Sequence, residues 1–410
     1  MNRRPSPLAL ALLALGCASA PRPAATPAAP AANAGAAPAA GTEEGAEARV
    51  ARMLAPETTA TLAAQPVATP DGSFRGAAQA SGAVTVRADE TRFVASIPVG
   101  GRQNVECIVF PETIDLASAL RITAEAVREH TARFELHAID AGFVGDSPYI
   151  DLQFLYLVSS PQGNLLGHVK LRGANVGGRG LMCTHDEPGF VRTFDRATRP
   201  LLEAPAASPP ITRYVLLVDD RPSGVATNRR VEGATTEEVD VSALLLPRSA
   251  TDLVALDSVG VEHYNRAGEL VDKLDVVNEN GEVSRYQLRR QGTARRYRVE
   301  GRHLGRDIAG DLTPASPLLA GGFGTQRAWQ TFRRANAPAQ VEFVTWSHTD
   351  PLAATTHTLR LDRRVDDDHL WLTMRTGQSE GRLLQGPAFA PDEYVMDAGG
   401  HTIAQRRVAP

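Results

Sequence analysis

From about residue 67 onward, apolar and polar residues alternate with the two-residue period of a β-strand over most of the chain. Residues 92–97 and 104–110 predict strands. The period then changes: Leu116, Leu120, Ala124 and Val127 recur at helical spacing on one face, which predicts a helix capped by Thr113 and running to about Glu129. Alternation returns at 133–141, 149–158, 165–171 and 181–185. Residues 186–203 predict a second helix, with Pro188 near its start and Phe190 and Phe194 on one face. This order predicts an α+β domain over residues 67–203, an antiparallel sheet carrying two helices.

Residues 204–211 are rich in proline and alanine, poor in apolar bulk, and read as a linker. Beyond them nearly everything reads as strand. "YVLLVDDRPSGVATNRRV" predicts a hairpin turning over 220–224, and Gly268, Gly281 and Gly292 stand at turn positions. Between those turns Tyr286, Leu288, Tyr297 and Val299 alternate with polar residues, an antiparallel meander with a dry and a wet face. Residues 314–334 break the alternation with Leu318, Leu319, Phe323, Trp329 and Phe332, and predict a helix or loop laid over the dry face. Gly321, Gly322 and Gly324 suit this segment to a gate. Strands resume at 339–347, 355–362 and 369–376, and a last hairpin turns at Gly399-Gly400. Residues 212–410 thus predict a mainly-β second domain, a curved antiparallel sheet or half-barrel. Trp329, Phe332, Tyr286 and Tyr297 are its candidate ligand-binding residues.

The amino terminus has a different grammar. Two arginines precede the apolar run 8–15, which is too short to span a bilayer. The run ends on Gly16-Cys17. This resembles the bacterial lipoprotein signal, in which such a cysteine is acylated and becomes the mature terminus. The resemblance implies that residues 1–16 are removed, that Cys17 is lipidated, and that the protein is exported to the cell envelope, on the outer membrane or the periplasmic face. An ordinary signal cut after Ala18-Ser19-Ala20 is the alternative. Residues 17–66 are mostly Ala, Pro, Gly and Thr and read as a disordered tether.

The pieces "DDRPSG", "EHYNRAGEL" and "EYVMDAGGHTI" resemble an uncharacterised family of exported bacterial antiparallel β-sheet domains. That resemblance implies a half-barrel similar to lipoprotein-carrier proteins and other envelope lipid binders. By topology alone, the first half is loosely similar to the fold of the extrinsic photosystem subunits.

Composition narrows the function. The net charge of -4, from 43 basic and 47 acidic residues, argues against a nucleic-acid partner. All but two of the basic residues, Lys170 and Lys273, are arginine, which reads as the mark of a GC-rich genome. Three cysteines are an odd count for an exported chain; with Cys17 acylated, Cys107 and Cys183 remain to pair in an oxidising compartment.

Candidate chemistry is sparse. Gly377-Gln378-Ser379-Glu380-Gly381 matches a nucleophile elbow, and Asp392, Asp397 and His401 follow in hydrolase order. An elbow needs a parallel sheet and a following helix; a turn between two strands is the simpler reading. His185-Asp186-Glu187 and Asp366-Asp367-Asp368-His369 place consecutive residues on opposite strand faces and lack a calcium loop's glycine and distal glutamate. "RRQGTARRYR" fits the solvated face of a hairpin. No catalytic residues, metal site or cofactor are therefore expected. The expectation is a non-enzymatic envelope protein binding an apolar or amphipathic ligand. A structural adaptor for an envelope protein partner stands second, and a serine hydrolase at Ser379 third.

Overall fold

The computed structural model describes residues 61–409 except 90, 101–102, 161–162, 187–190, 204–209, 293–294, 304 and 399. The signal segment, Cys17, most of the tether and most of the linker lie outside the described residues. Among the described residues no helix is long and apolar enough to cross a membrane.

In the first half, β1 (Ala63–Ala68) and β2 (Arg75–Ala80) form a two-stranded hairpin. Then β3 (Thr85–Asp89), β4 (Arg92–Gly100), β5 (Gln103–Val109), β6 (Arg133–Val144), β7 (Ser147–Ser160), β8 (Gly163–Val176) and β9 (Arg179–His185) build a seven-stranded antiparallel sheet. Its order is β3-β4-β5-β9-β8-β7-β6. Two helices accompany it, α1 (Leu116–Glu129) and α2 (Val191–Thr198), the latter running into a 3-10 turn at Arg199–Leu202. Leu116, Leu120, Ala124 and Val127 are all buried, as their spacing implies. Cys107 and Cys183 stand opposite each other on β5 and β9 and form the expected disulfide.

Two boundaries differ from the sequence reading. The cap position of α1 is Asp115, not Thr113. Asn175 accepts from the Ile114 amide and donates to the Ile114 carbonyl, both at 2.9 Å, which holds that residue outside the helix. The tether also stops short of residue 66, because Ala63–Ala68 is a strand. Its order comes from a partner: β2 supplies the ladder, and Val67 enters a core with Phe74, Phe194 and Leu201. An Ala/Pro-rich segment read alone carries no sign of that partner.

The second half is one fourteen-stranded antiparallel sheet. Its first arm holds β10 (Ile211–Val218), β11 (Arg221–Val231), β12 (Thr236–Ser249), β13 (Asp252–Tyr264), β14 (Leu270–Glu279), β15 (Glu282–Arg290), β16 (Tyr297–His303) and β17 (Arg306–Leu312). After α3 (Gly321–Phe332) come β18 (Val341–Trp346), β19 (Ala354–Arg364), β20 (Leu370–Thr376), β21 (Ser379–Gln385), β22 (Glu393–Ala398) and β23 (His401–Arg407). The chain enters at the centre, where β10 pairs with β23, and meanders outward to the β17 edge. It crosses to the β18 edge and meanders back. The two edges converge. Leu270, Tyr286, Tyr297 and Leu312 share a core with Leu318 and Trp346, and the Tyr286 ring stacks on His348 with centroids 5.7 Å apart. The sheet is rolled into a barrel-like form whose edges meet through side chains.

Gly268, Gly281 and Gly292 have positive φ, and Tyr286, Leu288, Tyr297 and Val299 are each at most 1% exposed, as alternation implies. The β10–β11 turn falls one step earlier than expected. Asp219 and Asp220 take φ of 50° and 63°, a left-handed pair that aspartate tolerates and a two-residue hairpin requires. Gly224 belongs to β11 instead, where a Cβ would lie 2.3 Å from the Ala243 carbonyl oxygen.

The three quoted pieces sit at seams. Asp219 accepts from the Thr402 amide at 3.0 Å and lies 2.7 Å from the His401 ring nitrogen, tying the first hairpin to the last. The Asn265 side chain organises the β13–β14 turn, accepting from the Ala267 and Glu269 amides. That turn receives the strand-to-helix crossing: Leu270 donates to the Leu318 carbonyl and Ala320 to the Gly268 carbonyl.

One core spans both halves. Val225, Ala243, Leu245, Leu253 and Ala255, on the outer face of β11–β13, pack with α1 and with Leu152, Phe154 and Leu171 of the first sheet. The Asp257 carboxylate of β13 accepts from the Ala117 and Ser118 amides at 3.0 and 2.8 Å, so the second half caps the first helix of the first.

Candidate functional site

The rolled sheet holds an open cavity of about 460 Å³, within the range of small-molecule sites. Its two walls differ in chemistry. One wall comes from β18–β22: Phe343, Trp346, Met374, Leu383 and Tyr394 present apolar surface. His357 joins them as a fully partnered ring. It lies between the Thr345 and Thr376 hydroxyls at 2.8 and 2.7 Å and stacks on Phe343, and burial holds its pKa below the ordinary histidine value. The first turn of α3, with Gly321, Gly322 and Thr325, closes one side.

The opposite wall comes from β13 and β14 and presents Glu262 and Lys273. These two begin a larger polar face. Strand register sets Arg230, Glu238, Glu262 and Lys273 in one row across β11–β14, and Asn228, Asp240, Gly260 and Asp275 in the next. The Lys273 ammonium lies 2.7 Å from Glu262 and 3.6 Å from Asp275. Glu238 accepts from Asn228 and from the Tyr264 hydroxyl, and Asn228 also donates to Asp240. Gly260 leaves room between the two aspartates, since a Cβ there would meet the Asp275 carboxylate at 3.2 Å.

The face thus gathers four carboxylates near one lysine; Glu238 and Asp275 are buried, Glu262 is partly buried and Asp240 reaches the surface. Burial, reinforced by Asp240 and Glu262, pushes Glu238 up to about 7. Burial likewise pushes Asp240 up to about 6. On Lys273 burial acts downward, but Glu262 and Asp275 outweigh it and hold the ammonium above the ordinary lysine value. The raised pKa favours the protonated lysine at neutral pH.

The ligand-binding residues expected from sequence are not the ones that line this space. Trp329 is turned into the core with its indole N–H on the Asp368 carbonyl at 2.8 Å, and Phe332 is 1% exposed. Tyr286 donates to or accepts from His303, and Tyr297 donates to the Leu270 carbonyl at 3.1 Å. The reason is steric. Trp329 and Phe332, in the carboxyl-terminal half of α3, pack among Leu319, Phe343 and Leu370, whereas Gly321 and Gly322 of its first turn border the cavity and Phe343 and Phe389 close in on Gly324 and Gly322. Phe343, Trp346 and Tyr394, from strands that alternation identified, supply the aromatic lining.

The other candidates are dispersed. Ser379 is exposed at the start of β21, opposite Thr376 in a hairpin, with no helix behind it. His401 is bound to Asp219, Asp392 to Arg407 and Asp397 to Thr402, so no triad assembles on Ser379. Asp366 folds onto the His369 ring and onto the amides of Asp368 and His369, a turn held by its own acid. Among the described residues no group of three or more His, Cys, Asp or Glu is placed to hold a metal ion. In the basic hairpin, Arg290 pairs with Glu269, and Arg296 and Arg298 with Asp311.

No family model matches the chain, and no curated protein matches it. A solved structure from Brucella abortus, described as a beta-barrel-like protein of a domain of unknown function, DUF1849, is similar to it at 11% identity with a TM-score of 0.36. The similarity covers 48% of this chain and 94% of that one.

Proposed function

We propose that this chain is a two-domain, non-enzymatic envelope lipoprotein whose second domain holds an amphipathic ligand inside the rolled sheet. The observation that carries this reading is the two-faced cavity of about 460 Å³, with Phe343, Trp346, Met374, Leu383 and Tyr394 on one side and Glu262 and Lys273 on the other. A filled sheet would have favoured an adaptor role. An apolar body on one wall and a polar head on the other satisfies both surfaces at once.

The experiment is titration of the fluorescent apolar probe N-phenyl-1-naphthylamine, with mass spectrometry of lipids extracted from the purified protein. Met374→Trp places bulk in the cavity from a partly buried position and should weaken the probe at least tenfold with an unchanged circular dichroism spectrum. Absence of saturable binding by the wild-type protein, with no co-purifying lipid, would end the binding reading.

Cys17, followed by its Ala/Pro-rich segment, would anchor this domain at the membrane. Cys17→Ser should move the protein out of the membrane fraction. Retention there would refute the anchor.

A further inference from the structure

The polar wall constrains the head group of the ligand, an inference that rests on the cavity reading above. Glu238, Asp240, Glu262 and Asp275 lie on the inner face of β12–β14, with Lys273 beside Glu262 and Arg230 of β11 beside Glu238. Arg230, beside Glu238 in the same row, is a second cation on this face and acts on the Tyr264 hydroxyl that donates to Glu238. Its guanidinium lies 3.9 Å from the Phe389 ring centroid and 3.1 Å from Glu232. His348 reaches Asp275 from the β18–β19 connection, with 3.2 Å between its ring nitrogen and the carboxylate. His357, on the facing wall, is taken up by two threonine hydroxyls.

Four carboxylates thus face two cations, Lys273 and Arg230, which leaves a formal surplus of negative charge on this face. Surplus buried carboxylate is unfavourable unless a positive group compensates it. An anionic head group would deepen that surplus, and the cation that lines the cavity, Lys273, is already paired with Glu262. A cation would relieve it. Trp346 and Tyr394 line the same cavity as Glu262, and aromatic faces attract cations in addition to any carboxylate. The Lys273 ammonium itself lies 5.9 Å from the Trp346 ring centroid, so that ring already faces a cation.

We infer that the ligand is a cationic amphiphile, an ammonium head group held between Glu262 and the Trp346 and Tyr394 rings with its apolar body against Phe343, Met374 and Leu383. A carboxylate- or phosphate-headed lipid without a positive charge does not fit this wall.

Three ten-carbon probes with different heads separate the possibilities: decyltrimethylammonium, decanol and decanoate, each titrated calorimetrically into the full chain below its micelle concentration. The ammonium should bind at least tenfold tighter than decanoate, with decanol between them. Glu262→Gln should narrow the gap between ammonium and decanoate at least fivefold while moving decanol less than twofold. Asp240→Asn, one row away and outside the cavity lining, should narrow the gap less. Met374→Trp should weaken all three, which locates them in the cavity. Decanoate binding as tightly as the ammonium overturns the inference but leaves the cavity reading standing. Failure of all three probes removes both.

Discussion

Replacing Lys273 by methionine should lower the stability of the folded chain by about 3–5 kcal/mol at pH 8, the range for removing one partner from a buried ion pair. Methionine keeps most of the apolar stem, so the substitution removes charge with little change in packing. Glu262 and Asp275, whose side chains are 13% and 9% exposed, are then left without their cation. The size of the loss should depend on pH, and the sign can be fixed in advance. Lys273 has its pKa raised by folding, so its own contribution is complete throughout the neutral range and would fade only in strong alkali. Glu238 and Asp240 behave in the opposite way. Their pKa values are raised to about 7 and about 6, so ionising them destabilises the folded state. That penalty is absent at low pH and grows as pH rises from the ordinary carboxylate range through those values. Lys273 is among the groups that restrain the Asp240 pKa, and its removal enlarges the penalty. Urea unfolding of wild type and Lys273→Met at pH 5 and pH 8 should show the smaller difference at pH 5. Equal differences at the two pH values would assign Lys273 a packing role and remove the electrostatic account of the wall.

Much of the strand pattern was legible because the inner faces of β15 and β16 alternate cleanly, and Tyr286, Leu288, Tyr297 and Val299 are buried as that alternation implies. The face of β11–β14 was not legible for a physical reason. There the outer side is apolar, because it packs on α1, and the inner side is charged. Alternation reports that two faces differ; it does not report which of them points into a barrel. A signal did exist in the lysines. A chain that uses arginine for nearly every positive charge places both of its lysines in buried ion pairs, Lys170 with Asp151 and Asp195, and Lys273 with Glu262 and Asp275. Each ammonium is a compact donor that fits among several carboxylates, and in the first half Arg172 shares Asp151 and Asp195 with Lys170. Composition alone could not separate that choice from a genomic bias. The aromatic residues of α3 misled for a related reason: Trp329 and Phe332 were recognisable as barrel-facing, but only packing distinguishes a side chain that fills space from one that borders it.

Asp257→Ala should cost about 2–4 kcal/mol and should do so in both halves of the molecule together. The carboxylate is the cap of α1 supplied from another part of the chain, since the helix's own Asp115 makes no capping hydrogen bond. Loss of a side-chain cap accounts for about 0.5–2 kcal/mol, and leaving a buried amide without an acceptor adds about 1–3 kcal/mol. Asp257→Asn keeps one acceptor oxygen and should fall between wild type and the alanine variant. The consequence extends past the helix because Leu245, Leu253 and Ala255 of the rolled sheet share a core with Leu116, Leu120 and Ala124. Loosening α1 therefore exposes apolar surface on both sheets. All three tryptophans, Trp329, Trp346 and Trp371, lie in the second half, so tryptophan fluorescence reports unfolding of the rolled sheet alone. Hydrogen exchange at the buried amides of α1 reports the first half. In Asp257→Ala the fluorescence midpoint and the α1 exchange should shift by the same free energy. Faster exchange in α1 with an unmoved fluorescence midpoint would mean that the two sheets are stable independently and that their shared core is a docking contact between separable units.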